Sequence, residues 1–198
     1  MYPESLKNLI ESFKLFPGIG EKTAERMAFA FLNFDDDQIA FFGQSFDEAH
    51  KRLHLCPQCH SLTDQDVCSL CTAINRDHTT LCVVEDPRIV FLFEKMGTYK
   101  GMYHVINGLI SPLDDVNPED IGLEDLLDRI KKEKFSEVIL AFKQNVEGQI
   151  TALYIKKVLE GMNLTISRLA SGVPIGADME YIDSLTLERA LADRKSLS

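Results

Sequence analysis

The stretch Cys56-Pro57-Gln58-Cys59-His60-Ser61-Leu62-Thr63-Asp64-Gln65-Asp66-Val67-Cys68-Ser69-Leu70-Cys71 carries two CxxC knuckles joined by a short polar linker. Four thiolates at this spacing can close a tetrahedron around one Zn²⁺ ion, and a closed four-cysteine set leaves no open position for a water nucleophile. The metal is therefore expected to be structural, one ion per chain, held by Cys56, Cys59, Cys68 and Cys71. The linker has too few apolar residues to form a core, so metal binding would supply the folding free energy. Two disulfides are the rival reading. No secretory segment is legible ahead of the set, and disulfides are rare in cytosolic proteins. His54 and His60 flank the knuckles and read as bystanders.

Upstream, Leu6, Leu9, Ile10, Phe13 and Phe16 recur at helical spacing and predict a first helix from about residue 4, stopped by Pro17. Pro17-Gly18-Ile19-Gly20 follows, and Glu21 to Leu32 reads as a second amphipathic helix. Helix, Gly-Ile-Gly hairpin, helix is the pattern of a helix-hairpin-helix DNA-binding motif. Gly18 and Gly20 would let the backbone approach a phosphate, and the opening N–H groups of the second helix would point at it. Lys22 and Arg26, one turn apart, would add phosphate contacts on the same side; such contacts position a protein on DNA without reading sequence. A plain helical hairpin with a glycine turn is the alternative. Asp35, Asp36 and Asp37 are N-cap candidates for a third helix, with Ile39, Phe42, Phe46, Ala49 and Leu53 as its expected buried stripe.

Downstream of Cys71 strands alternate with helices. Strands are expected at Thr80 to Glu85, Tyr103 to Ile106, Glu137 to Phe142 and Leu164 to Leu169. Helices are expected at Pro87 to Gly97, around Leu123 to Ile130, at Glu147 to Gly161 and at Leu185 to Arg194. This order predicts a parallel sheet covered on both faces. Sites on such sheets lie at the carboxyl ends of strands. Glu85 ends the first strand and Glu147 follows the third, and two carboxylates there could hold Mg²⁺. The alternative is that both are solvated loop acids. Cys82, in an apolar run, is expected in the core.

The composition is that of a water-soluble globular chain, with 45% hydrophobic and 26% charged residues. No apolar run is long enough to span a membrane, and the expected location is cytoplasmic and nucleoid-associated. The net charge of −10 argues against a dedicated, tight nucleic-acid binder. The hairpin is locally neutral, with Lys7, Lys14, Lys22 and Arg26 balancing Glu4, Glu11, Glu21 and Glu25. Local binding there remains compatible with the charge. GxxxxGK[ST] occurs nowhere, which removes a phosphate-loop nucleotide site.

The order of parts resembles the bacterial RecR family of recombination mediators across essentially the whole chain. The resemblance rests on Phe16-Pro17-Gly18-Ile19-Gly20 with Lys22, Thr23, Ala24 and Arg26, on the four cysteines, and on Leu81-Cys82-Val83-Val84-Glu85. Tyr103-His104-Val105, Ser111-Pro112-Leu113, Val146-Glu147-Gly148, Thr151-Ala152 and Gly172-Val173-Pro174-Ile175-Gly176 follow in the family order. It implies an α+β protein in several parts. These are a helix-hairpin-helix with a linking helix over 1–55, a four-cysteine zinc finger over 56–72, and an α/β Toprim domain with a parallel sheet over 79–172. A C-terminal helical, Walker B-like and oligomerisation segment over 173–198 completes it.

The family also implies a job without catalysis. With RecO, and RecF where present, such proteins help load RecA onto gapped DNA coated by single-strand-binding protein, and they assemble as dimers and ring-shaped tetramers through their N- and C-terminal regions. Carried over, Gly18, Gly20, Lys22 and Arg26 would face DNA, and Glu85 and Glu147 would be the Toprim acids, with a role in contacting RecO. The chain departs from the family pattern at Ile89, where an Asp is usual, at Phe142-Lys143-Gln144, where Thr-Asn-Pro is usual, and at Asp115, where Gly is usual. Two alternatives stand beside this reading: an adapter that binds partners without touching DNA, and a Mg²⁺-dependent Toprim enzyme. The enzyme would need an acidic pair where Phe142-Lys143-Gln144 stands. A nucleotide hydrolase built on Met179-Glu180-Tyr181-Ile182-Asp183 would lack its phosphate loop; Asp183 is expected to cap the last helix.

Overall fold

The computed structural model describes residues 2–194, which form two compact units divided between Leu53 and His54. In the first, α1 (Glu4–Lys14) and α2 (Glu21–Phe31) pack as a hairpin. Ala24 and Ala28 lie four residues apart on one face of α2, and both are fully buried. Their small side chains bring the helices close enough for Ile10 to be buried between them, with Leu6, Leu9, Phe13 and Ile19 closing the cluster. Helix α3 (Asp36–Arg52) starts at a capping box: Gln38 N donates to Asp35 Oδ1 at 2.8 Å, and the Gln38 side chain accepts from Asp35 N at 3.0 Å.

The stripe Ile39, Phe42, Phe46, Ala49 and Leu53 does not lie in a core, which corrects the expectation from periodicity. No residue of α3 is buried. The core of the α1–α2 hairpin is complete without that helix, so the stripe faces outward. Phe31, Phe34, Phe42, Phe46 and Phe16 form a chain of ring contacts with centroids 5.4–6.3 Å apart. They border an open apolar groove of about 620 Å³ lined also by Leu9, Phe13 and Ile39.

The second unit opens with a short antiparallel pair, β1 (His54–Leu55) and β2 (Leu62–Thr63), which frames the Cys56/Cys59 knuckle, followed by α4 (Ser69–Thr72), which Cys68 precedes and which contains Cys71. The main sheet contains β3 (Asp77–Val84), β4 (Gly101–Val105), β5 (Glu137–Leu140) and β6 (Thr165–Arg168) in the order β4-β3-β5-β6, all parallel. Alternation along β3 sends Leu81 and Val83 to one face and Cys82 and Val84 to the other. The first face is covered by α6 (Leu123–Glu133) and α7 (Val146–Val158), which contribute Leu123, Leu126, Ile130 and Ile155. The second is covered by α5 (Pro87–Met96) through Ile89, Val90 and Phe93. Cys82 is buried there, as expected from its apolar run. A 3₁₀ turn at Met179–Tyr181 and α8 (Ser184–Ala192) follow, with Asp183 capping α8 by accepting from Thr186 N at 2.9 Å.

One cross-link fixes the start of α7 against the loop after β4. Thr151 is fully buried; its hydroxyl accepts from Ile110 N at 2.9 Å and donates to Glu147 O at 2.8 Å. Thr151→Val keeps the shape and strands the Ile110 N–H in a dry setting, at a cost of about 1–3 kcal/mol. For a chain of this size each kcal/mol lowers Tm by about 2–4 °C. Melting of the zinc-loaded chain followed by circular dichroism checks this, and an unchanged Tm would mean the amide has another partner.

Candidate functional site

Three places bring chemistry-bearing residues together. The first is the hairpin between α1 and α2. Gly18 has φ +81°, a left-handed conformation that suits glycine. Gly20 is the N-cap of α2 and, lacking a side chain, offers no cap; a Cβ at either glycine would meet nothing within 4 Å. No side chain caps the opening N–H groups of α2, which lie at the positive end of the helix dipole. Lys22 and Arg26 are one turn apart on that helix, and neither has an ion-pair partner among the described residues. Lys14 differs: it pairs with Glu11 at 2.8 Å and with Glu21 at 2.7 Å, and these two acids hold its pKa above the ordinary lysine value.

The second place is the cysteine cluster. The four Sγ atoms of Cys56, Cys59, Cys68 and Cys71 lie within 4.8 Å of one another, and Cys59 and Cys68 are 3.4 Å apart. A ZnS₄ tetrahedron with bonds of about 2.3 Å has edges near ~3.8 Å, so the donors fit the ion. Hydrogen bonding within the set pushes the Cys68 thiol down and the Cys59 and Cys71 thiols up. Crowded sulfurs share few negative charges by themselves; a dication between them lets all four ionise. The knuckle backbone is pre-shaped. Cys56 N donates to Ser61 O and His60 N to Cys56 O, both at 2.8 Å, with His60 left-handed at φ +58°. Cys68 N points at Cys56 Sγ at 3.4 Å.

The module is docked on the sheet through groups outside the ligand set. Val105 N at the end of β4 donates to Cys59 O at 2.8 Å. Gln58 donates to Glu133 Oε1 at 3.1 Å, and His60 lies 3.7 Å from Asp125, both partners being on α6. His60 and His104 pack ring to ring with centroids 4.9 Å apart. His104 is buried with neither ring nitrogen hydrogen-bonded among the described residues. Burial, aided by the nearby charge of Arg129, lowers its pKa to about 3, so the ring is neutral. Arg129 is held by Tyr103 O at 2.6 Å and Glu133 at 3.0 Å.

The third place is the carboxyl end of β3. Glu85 is buried; its Oε2 accepts from Lys143 N at 3.1 Å, and Lys143 Nζ lies 3.7 Å from Oε1. Glu147 sits in the first turn of α7, with its main-chain oxygen engaged by Thr151. Asp86 does not join them. Its side chain caps α5 by accepting from Arg88 N at 2.8 Å, and it pairs with the Arg88 guanidinium, which lowers its pKa to about 2. Ile89, where the resembling family has an acid, packs into the α5 core. Among the described residues, the cysteines are the one group of three or more acidic, histidine or cysteine side chains close enough to share a metal.

Sequence reasoning assigned no role of their own to Lys143, His104, Arg129 and Thr151. Lys143 was legible as a departure from the family pattern, but its contact with Glu85 spans 58 positions. Nothing local marks Arg129 as buried, since it stands among the charges of α6.

Comparison with known proteins agrees with this layout. Residues 6–50 match the family described as RecR, helix-hairpin-helix, and residues 53–73 match the RecR four-cysteine zinc finger domain. Residues 79–170 match the Toprim domain, and residues 172–195 match RecR, C-terminal. The chain is 42% identical over 196 residues to the Recombination protein RecR of Staphylococcus saprophyticus subsp. saprophyticus, covering 99% of each chain.

The cysteine cluster is thus a four-cysteine zinc finger with a structural ion. Stripping zinc with a chelator is expected to free the Cys59 carbonyl and speed hydrogen exchange at the Val105 amide, with loss of protection at Cys56 and His60. Cys68→Ser should lower the metal content from one zinc per chain to well below one. Protection at Val105 that survives stripping would separate the docking from the metal.

Proposed function

The chain belongs to the RecR family of recombination proteins, and on that premise we propose that it is a non-enzymatic mediator of DNA repair and recombination. Acting with RecO, and with RecF where present, it binds gapped DNA or single/double-strand junctions and promotes RecA loading on strands coated by single-strand-binding protein. The observation that carries the DNA contact is the uncapped, open N-terminus of α2, with Gly18 and Gly20 bare and Lys22 and Arg26 unpaired beside it. That geometry suits a phosphate and offers no base-reading side chain, so the contact is independent of sequence. Its few cations suit a protein of net charge −10 that stays on DNA by encircling it or by holding a partner.

A role without catalysis is supported by the third site. Phosphoryl transfer on a Toprim scaffold needs clustered carboxylates around Mg²⁺. Here Glu85 faces a lysine, and Phe142 is part of the core. A partner approaching these strand ends would meet the exposed Lys143 ammonium before reaching buried Glu85. A cytoplasmic, nucleoid-associated place of action follows from the proposed role in DNA repair; among the described residues no helix is long and apolar enough to cross a membrane.

We also propose that the aromatic face of α3 is an assembly surface for dimers and tetramers of this chain. Its apolar groove and the rings of Phe16, Phe42 and Phe46 are open to solvent, and burying such a surface against a second copy gives an apolar interface. Phe42→Asp with Phe46→Asp should shift the chain toward monomer in sedimentation velocity. An unchanged distribution would assign the face to another partner.

The DNA contact is tested by fluorescence anisotropy on gapped DNA across a salt series, with and without purified RecO. Lys22→Ala with Arg26→Ala is expected to weaken binding and flatten log K against log salt by roughly 2, at about 0.9 per phosphate contact on duplex. Equal behaviour of both proteins under every condition would make the hairpin an assembly element and the chain an adapter.

A further inference from the structure

The carboxyl end of β3 presents an unusual arrangement. The Glu85 side chain is only 4% exposed, and its Oε1 is buried without a hydrogen-bond partner among the described residues. Burying a carboxylate oxygen is costly unless a donor or a positive charge lies beside it. Oε2 has a donor in Lys143 N at 3.1 Å. The nearest cation to Oε1 recorded in the structure is the ammonium of the same residue, at 3.7 Å.

The backbone fixes this meeting. β3 and β5 run side by side with Val83 opposite Leu140, and Ala141 N donates to Val83 O at 2.8 Å. The chain then turns over the end of β3. Gly148 presses against that turn so closely that a Cβ there would lie 2.0 Å from Lys143 O. Asn145 caps α7 by accepting from Gly148 N at 2.9 Å, and Arg189 of α8 donates to Gln144 O at 3.3 Å. The Lys143 main chain is therefore held in place, and its flexible stem swings the ammonium over Glu85.

Mg²⁺ asks for octahedral oxygen ligands, usually one or two carboxylates together with substrate phosphates and several waters. Among the described residues Glu85 belongs to no group of three or more acidic, histidine or cysteine side chains close enough to share a metal. We propose that Lys143 is the built-in cation of this site: its ammonium neutralises Glu85 where a Toprim fold would employ a divalent metal, so this face of the chain is metal-independent. The pair holds the turn that begins α7 and presents a lysine side chain, 71% exposed, to whatever docks there. The inference concerns the strand ends alone and stands or falls separately from DNA binding at the hairpin.

Two measurements on the zinc-loaded full chain test it. In the first, MnCl₂ is titrated and free Mn²⁺ is followed by electron paramagnetic resonance. Wild type and Glu85→Gln are expected to take up the same small amount of Mn²⁺; a site in wild type that Glu85→Gln removes overturns the proposal. In the second, thermal unfolding is run as a double-mutant cycle. Lys143→Met should lower Tm by roughly 2–4 °C by leaving a buried charge unpaired, while Lys143→Arg should hold it near wild type. Adding Glu85→Gln to Lys143→Met should recover part of the loss. The Lys143 side chain is mostly in solvent, so its replacement leaves the packed core untouched. Strictly additive effects of the two substitutions would mean that the side chains do not serve each other, and the proposal fails.

Discussion

Four cysteine sulfurs packed within 4.8 Å of one another cannot all carry charge unless a cation sits among them. That constraint organises the second unit. The loop from Cys56 to Cys71 has almost no apolar core of its own, yet it supplies the Cys59 carbonyl that receives the last amide of β4, and the Gln58 and His60 side chains that reach α6. A zinc finger can therefore do more than hold itself together. Here it is the cover that completes the ends of β4 and α6, burying His104 and Arg129 in the process. The cost of that burial is visible in a histidine held neutral with unpaired ring nitrogens.

Most of the architecture was legible because it is local. The capping of α3 by Asp35, the start of α2 after Gly20, the capping of α8 by Asp183 and the alternation of β3 across two faces all follow from residues within a few positions of one another. The exception is α3. Its apolar stripe is real and helical in period, and the sequence shows that it needs covering. Periodicity does not say by what. Within this chain the α1–α2 hairpin closes on Ala24, Ala28 and Ile10 and leaves the aromatic side of α3 open. A stripe reads the same whether its cover is intramolecular or another molecule.

The strand ends were the least legible part, for a different reason. Glu85 and Glu147 were found because acids after strands are a recognisable pattern. Which of them is dry, and what faces it, depends on where β5 leaves the sheet and how tightly Gly148 lets the following turn pack. Lys143 looks like an ordinary surface lysine in sequence. Its main-chain amide and its ammonium both reach a carboxylate that is far away in the chain and adjacent across the sheet.

This distinction separates two kinds of family motif in the chain. Thr151, Gly148 and Asn145 are scaffold residues: one donates and accepts across two elements, one permits a close approach, and one caps a helix. Such roles depend on backbone geometry and tolerate change in the chemistry around them. Beside them stand Phe142, Lys143 and Gln144, on a backbone path held by main-chain hydrogen bonds and by the close approach of Gly148. Phe142 adds to the core, Gln144 offers its carbonyl to α8, and Lys143 supplies a charge. The hydrogen bonds that shape this end of the sheet come from the main chain, and the cation beside Glu85 is the side chain of Lys143.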